Sequence, residues 1–216
     1  MIVDVSTLPK RMQGLPRDER GYPVPWFVDW IDGKPEFRAM DMSKFADAIR
    51  KKLCWVCGEP MGVHIAFVAG PMCGINKTSS EPPSHRECAE WSAVNCPFLA
   101  NPRMVRREDE RINNSTFSAS AAGYALARNP GVAMVWITRE YEIYRSPAGG
   151  SGYLLEMGEP EEVLWYREGR RATRAEVQEA IDAGIHSLEN LARLEEGGLA
   201  ALQRAVNRFE RHLPKE

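Results

Sequence analysis

The spacing of apolar residues changes several times along the chain. Val24, Trp26, Phe27, Val28, Trp30 and Ile31 form a dense β-prone run, and Asp32-Gly33 signals a two-residue hairpin turn after it. Residues 35–40 read as the return strand. A helical period follows, with Phe45, Ala46, Ala48 and Ile49 on one face. Asp41 or Ser43 can cap this helix, and Arg50, Lys51 and Lys52 suit its C-terminal end near Lys52. Residues 63–68 predict a strand. Gly70-Pro71 breaks it, and residues 72–76 are expected to return antiparallel. Ser84 and Glu87 have the spacing of a capping box for a helix through Glu90, Trp91 and Val94, with Pro97 just beyond its end.

The second half reads as strands followed by helices. Residues 132–144 form a strong strand signal, rich in Val, Ile, Trp and Tyr. Residues 149–152 read as a turn, and 153–157 and 162–167 as two further strands, giving an antiparallel meander. Thr173 and Glu176 predict a second capping box. Ile181, Ile185, Leu188, Ala192, Leu199, Leu202, Val206, Phe209 and Leu213 then alternate at three- and four-residue spacing. Gly184 and Gly197-Gly198 interrupt that stripe, which predicts two or three helices packed on the sheet. A dimer through these C-terminal helices is the alternative.

The expected class is α+β, a module of knuckle, β-hairpin and helix joined to a small antiparallel sheet and C-terminal helices. Residues 1–20 mix prolines and arginines without a period and read as a tail or loosely docked arm. Residues 21–99 hold the hairpin, first helix and that module, 100–130 a connector, and 131–216 the meander and helices, packed with 21–99 as one unit. Length and composition agree: 216 residues, 44% hydrophobic and 27% charged, suit one large or two small globular domains. A formal net charge of -2 argues against general coating of nucleic acid. No apolar run approaches the roughly 18 residues of a bilayer span. Residues 1–20 lack the apolar core of a signal peptide, so a cytoplasmic location is the default expectation.

Chemistry concentrates between residues 54 and 88. Cys54 and Cys57 form one pair and His85 and Cys88 a second, each with two residues between its members. Thiolate sulfur and imidazole nitrogen are zinc ligands, and four protein ligands make a closed structural site. Gly58 permits the tight backbone of a knuckle. His85 and Cys88 lie one turn apart on one helix face, at the end where the dipole favours thiolate. One structural Zn2+ per chain is expected. A knuckle, a hairpin and a helix whose first turn supplies two ligands resemble the treble-clef zinc fingers. The remaining cysteines, Cys73 and Cys96, read as small buried residues.

Wider phrases add to this: Gly21-Tyr-Pro-Val-Pro-Trp-Phe-Val28, Asp32-Gly-Lys-Pro-Glu-Phe37, Cys54-Trp-Val-Cys-Gly-Glu-Pro60, Glu81-Pro-Pro-Ser-His85, Cys96-Pro-Phe-Leu99, Asn129-Pro-Gly-Val132 and Ala172-Thr-Arg-Ala-Glu-Val177. Through these the chain resembles, over nearly its whole length, a family of uncharacterised proteins from bacteria and their phages. The resemblance implies one cooperative unit around the zinc segment and carries no catalytic assignment.

Function is expected to be non-catalytic binding of another macromolecule, with a protein partner favoured and no membrane association. For a phage-derived chain, interference with a host factor is the role that analogy suggests. Nucleic-acid binding is the alternative, through Arg167, Arg170, Arg171 and Arg174 beside Trp165 and Tyr166, with few local acids except Glu168. Arg103, Arg106 and Arg107 are followed at once by three acids and read as a solvated surface. An HNH-like metal-dependent nuclease using His64, with Asn76 near the end of the expected hairpin, is a third reading. His186 and His212 read as solvated or packed.

Overall fold

The computed structural model describes residues 7–101, 131–145 and 153–215. The 102–130 part of the connector, with Arg103, Arg106 and Arg107, and the turn at 149–152 lie outside the described residues.

β1 (Val28–Ile31) and β2 (Lys34–Met40) form the expected hairpin. Asp32 and Gly33 both take positive φ, 52° and 73°, as a type I′ turn requires. The Asp41 carboxylate accepts the Ser43 N–H and starts α1 (Met42–Lys51), which stops at a left-handed Lys52.

β3 (Ile65–Ala69) does not return on itself. The expected return strand at 72–76 is instead helix α2 (Pro71–Asn76), with Pro71 in its first turn. Proline there fixes a helical φ and gives up an N–H that a first turn leaves unbonded. The strand takes its partner from far along the chain: β3 pairs antiparallel with β5 (Ala133–Thr138), Phe67 opposite Trp136. On the way to α3 (Arg86–Asn95) the chain passes β4 (Thr78–Ser79). The cap of α3 also differs from expectation. His85 is the N-cap and no side chain bonds there; Ser84 lies one residue before it, its backbone bridged to Ala66 with bonds of 2.8 Å in both directions.

The expected meander is split between two sheets. The 132–144 run breaks at Arg139-Glu140 into β5 and β6 (Tyr141–Arg145). β6 pairs with β7 (Tyr153–Met157), which also takes β4, in the order β4-β7-β6. β8 (Glu162–Arg167) returns to β5, and β9 (Arg170–Arg171) completes the order β3-β5-β8-β9. The bend at the junction is pinned from within. The Trp136 indole N–H donates to the Gly158 carbonyl at 2.9 Å, and the buried Thr138 hydroxyl to the Glu159 carbonyl at 2.9 Å.

Thr173 and Glu176 form the capping box that opens α4 (Arg174–Ala192), and α5 (Gly198–Phe209) follows a break at Gly197. Gly184 is no break. It lies inside α4, where a Cβ would sit 3.2 Å from Met72, so it sets how closely α2 and α4 approach.

All six residues of β5 are buried, and helices cover both of its faces. This explains why its sequence is a continuous apolar run with no alternation. Met134 and Trp136 pack with Phe67, Trp165, Val177, Ile181 and Phe209 under α2, α4 and α5. Ala133, Val135 and Ile137 pack with Ala89 and Ala93 of α3. The described residues thus form a mixed α/β structure of small antiparallel sheets and five α-helices. The small alanines bring α3 close to the sheet, which fixes the position of the residues at its start.

Candidate metal centre

Cys54 begins a tight turn. Gly58 donates its N–H to the Cys54 carbonyl at 2.8 Å, and Cys54 donates to the Glu59 carbonyl at 2.8 Å. Gly58 has φ 77°, and a Cβ there would lie 2.7 Å from the Trp26 ring, so both conformation and space select glycine. Trp55 holds the turn to the body: its ring stacks on Phe27 at 4.9 Å and meets Phe45 edge-on. The Trp55 backbone N–H donates to the Pro83 carbonyl at 3.0 Å, just before the second ligand pair.

His85 and Cys88 arrive from the first turn of α3. The ligand atoms of Cys54, Cys57, His85 and Cys88 all lie within 4.8 Å of one another. A zinc tetrahedron with Zn–S bonds of about 2.3 Å places its sulfurs about 3.8 Å apart, within that span. Cys54 and Cys88 are fully enclosed, while His85 and Cys57 keep 7% and 9% exposure. The four groups can therefore hold a metal ion, and three sulfurs with one imidazole are compatible with zinc.

Hydrogen bonds prepare the ligands. The Cys54 sulfur accepts backbone N–H bonds from Cys57 at 3.4 Å and His85 at 3.3 Å. Burial opposes ionisation of Cys54, yet bonds from Cys57, Cys88 and His85 outweigh it and hold this thiol far below its usual range. Cys57 is pushed up to about 11, chiefly by its bond to Cys54, and Cys88 is raised for the same reason. One thiolate forms readily, and the next two need a cation to offset the repulsion. His85 Nε2 lies 3.1 Å from the Pro60 carbonyl, which can only accept, so this nitrogen carries the hydrogen. Nδ1 is left bare and faces the Cys57 sulfur at 3.4 Å, as a metal-ligating histidine requires.

Three residues outside the expected ligand set complete the surroundings. Leu8 and Met12 are buried in one cluster with Cys54, Val56, Cys57 and Cys88. Arg11 bonds Glu59 at 2.6 Å and Glu87 at 3.1 Å. Described residues of the expected N-terminal arm therefore pack on the centre. The one sequence signal for this is the helical spacing of Leu8, Met12 and Leu15.

Other candidates are placed elsewhere. Arg170 makes two bonds to Glu176, at 2.9 and 2.6 Å, and Arg167 bonds Glu179 at 2.8 Å. Folding brings Glu176 and Glu179 of α4 onto the cluster. Arg171 lies over the Tyr166 ring at 4.8 Å, and Arg174 reaches the Pro214 carbonyl at 3.4 Å. His64 pairs with Glu161 at 2.7 Å on the surface, and Asn76 accepts the Thr78 N–H at 3.0 Å. His186 faces Glu189 at 3.3 Å, while His212 packs edge-on to Trp136 at 5.2 Å. Cys73 and Cys96 are only partly buried as residues, but desolvation of their thiols pushes Cys73 up to about 11 and raises Cys96.

No family model, no curated protein and no solved structure matches the chain. Among the described residues no helix is long and apolar enough to cross a membrane.

Proposed function

We propose that the chain is a non-catalytic protein, braced by one structural zinc ion, that binds another protein. The observation that carries the first half is the enclosed Cys3His set. Four protein ligands fill a tetrahedral shell and leave no position for substrate or an activated water. The order of knuckle, strand bridged to the second ligand pair, and ligand-bearing helix supports a treble-clef-like module, with α2 standing where the return strand would be. Zinc would supply electrostatic cross-linking there, and the thiolates and imidazole would hold it.

A protein partner is supported by the β1–β2 ribbon. Trp30, Ile31 and Phe37 are exposed on it, and Met42 is exposed just beyond. Large apolar and aromatic side chains are over-represented in protein interfaces. Arg167 and Arg170 are already committed to glutamates, which favours this reading over nucleic acid. A cytoplasmic, phage- or bacteria-encoded modulator of a host factor is the corresponding role by analogy.

The test is affinity capture from bacterial lysate, with and without nuclease, using wild type and a Trp30→Ala/Phe37→Ala variant that retains its metal. The proposal expects a nuclease-resistant protein partner that the variant loses. Capture of nuclease-sensitive material, weakening steeply with salt, would support the nucleic-acid reading instead.

A further inference from the structure

The buried side of the N-terminal segment meets the metal ligands directly. Pro9 accepts the Met12 N–H at 2.8 Å, which closes a short 3-10 turn at Lys10–Met12. This turn places Leu8 and Met12 against the ligand cluster, with exposures of 4% and 0%. The Trp91 indole N–H reaches the Thr7 hydroxyl at 3.4 Å, tying the segment to α3 at one end. At the other end the Val24 N–H donates to the Pro16 carbonyl at 2.8 Å. Between these anchors a single guanidinium, that of Arg11, bonds Glu59 and Glu87. Glu59 follows the Cys54–Cys57 knuckle, and Glu87 lies between His85 and Cys88. Arg11 therefore joins the two halves of the ligand set from outside, while Leu8 and Met12 seal the sulfurs from solvent.

We infer that residues 8–15 form a strap that controls metal release and access to the thiolates, with Arg11 as its polar latch. Leu8 and Met12 cover the side of Cys54 and Cys88, which have no exposure of their own, and leave only the slight exposure of Cys57 and His85 for a chelator's approach. The latch is weak by construction. Both ion pairs are exposed, with 44% of the Arg11 side chain accessible, and pairs of this kind are screened by salt. The contacts that hold β3 and β5 together, and those of Ala89 and Ala93 of α3 with β5, do not involve the strap. The zinc centre is thus closed at low ionic strength and more readily opened as salt rises. This inference rests on the zinc reading above.

The test is the rate of zinc transfer from the full-length protein to a chromophoric chelator, at low and high salt. Bound zinc is measured before chelator is added. Arg11→Ala should release zinc about fivefold faster at low salt, since it removes two weak exposed pairs. Its rate should also lose most of the salt dependence seen in wild type. Met12→Ala should release faster still and expose Cys57 to alkylation. Arg50→Ala, which removes an exposed pair on α1, should behave as wild type. Equal rates and equal salt response in wild type and Arg11→Ala, both zinc-loaded, would overturn the strap and leave the zinc reading standing. A wild type that carries no zinc would overturn both.

Discussion

A backbone carbonyl decides which His85 nitrogen is available to a metal. Pro60 accepts from Nε2, so Nδ1 points its lone pair at the sulfurs. Zinc would displace protons from Cys57 and Cys88, both raised by Cys54. The sign follows: protons compete with the metal, so affinity should rise as pH rises and acid should release zinc. Competition titrations between about pH 6 and 8 should show more than one proton released per zinc. A flat profile would contradict the ligand assignment. At the start of α4, the Arg170 and Thr173 bonds hold Glu176 down to about 2, from an ordinary 4.5. Its stabilisation is therefore fully present above 4.5 and lost as pH falls toward 2. Thr173→Ala should cost about 1 kcal/mol in denaturant unfolding. Glu176→Gln should flatten the acid limb of stability over that window, and an unchanged limb would argue against the pairing.

Elements legible in the sequence were those whose signal is local. The Asp32-Gly33 hairpin, the Asp41 cap of α1 and the Thr173–Glu176 box all form as their residues dictate, because turn and cap chemistry acts within four positions. The ligand spacing is legible for the same reason. What misleads is partner choice. Residues 72–76 have strand-like side chains, yet Pro71 starts a helix, and β3 finds β5 roughly seventy residues later. The run at 132–144 gives no sign of the bend that divides it between two sheets, since the bonds that fix the bend come from Gly158 and Glu159. Ser84 looks like a cap but its backbone continues the bridge to Ala66, and the N-cap falls one residue later at His85. Two substitutions test the packing. Gly58→Ala forces a side chain into both a left-handed φ and the Trp26 ring, so it should destabilise by about 2 kcal/mol or more and weaken zinc retention. Trp136→Ala empties the centre of β5 and should cost about 3–5 kcal/mol by equilibrium unfolding. Wild-type stability in either variant would refute the corresponding contact.

At the scale of the whole molecule, the metal centre sits where separate parts of the chain meet. The N-terminal segment, the knuckle and the start of α3 converge on four ligand atoms, and the start of β3 bridges to Ser84 beside them. From there α3 leans on β5 through Ala89 and Ala93, so the centre is coupled to the sheet that carries α4 and α5 on its other face. Loss of the ion should therefore loosen more than the knuckle. Cys88→Ser is expected to lower both the knuckle's order and the unfolding midpoint of the sheet, because a small structural zinc site contributes on the order of 10 kcal/mol. The most direct measurement is elemental analysis of purified, folded wild-type protein beside Cys88→Ser. The account predicts about one zinc per wild-type chain and none in the variant, which should be destabilised or unfolded. A stable, folded and metal-free wild type would contradict it.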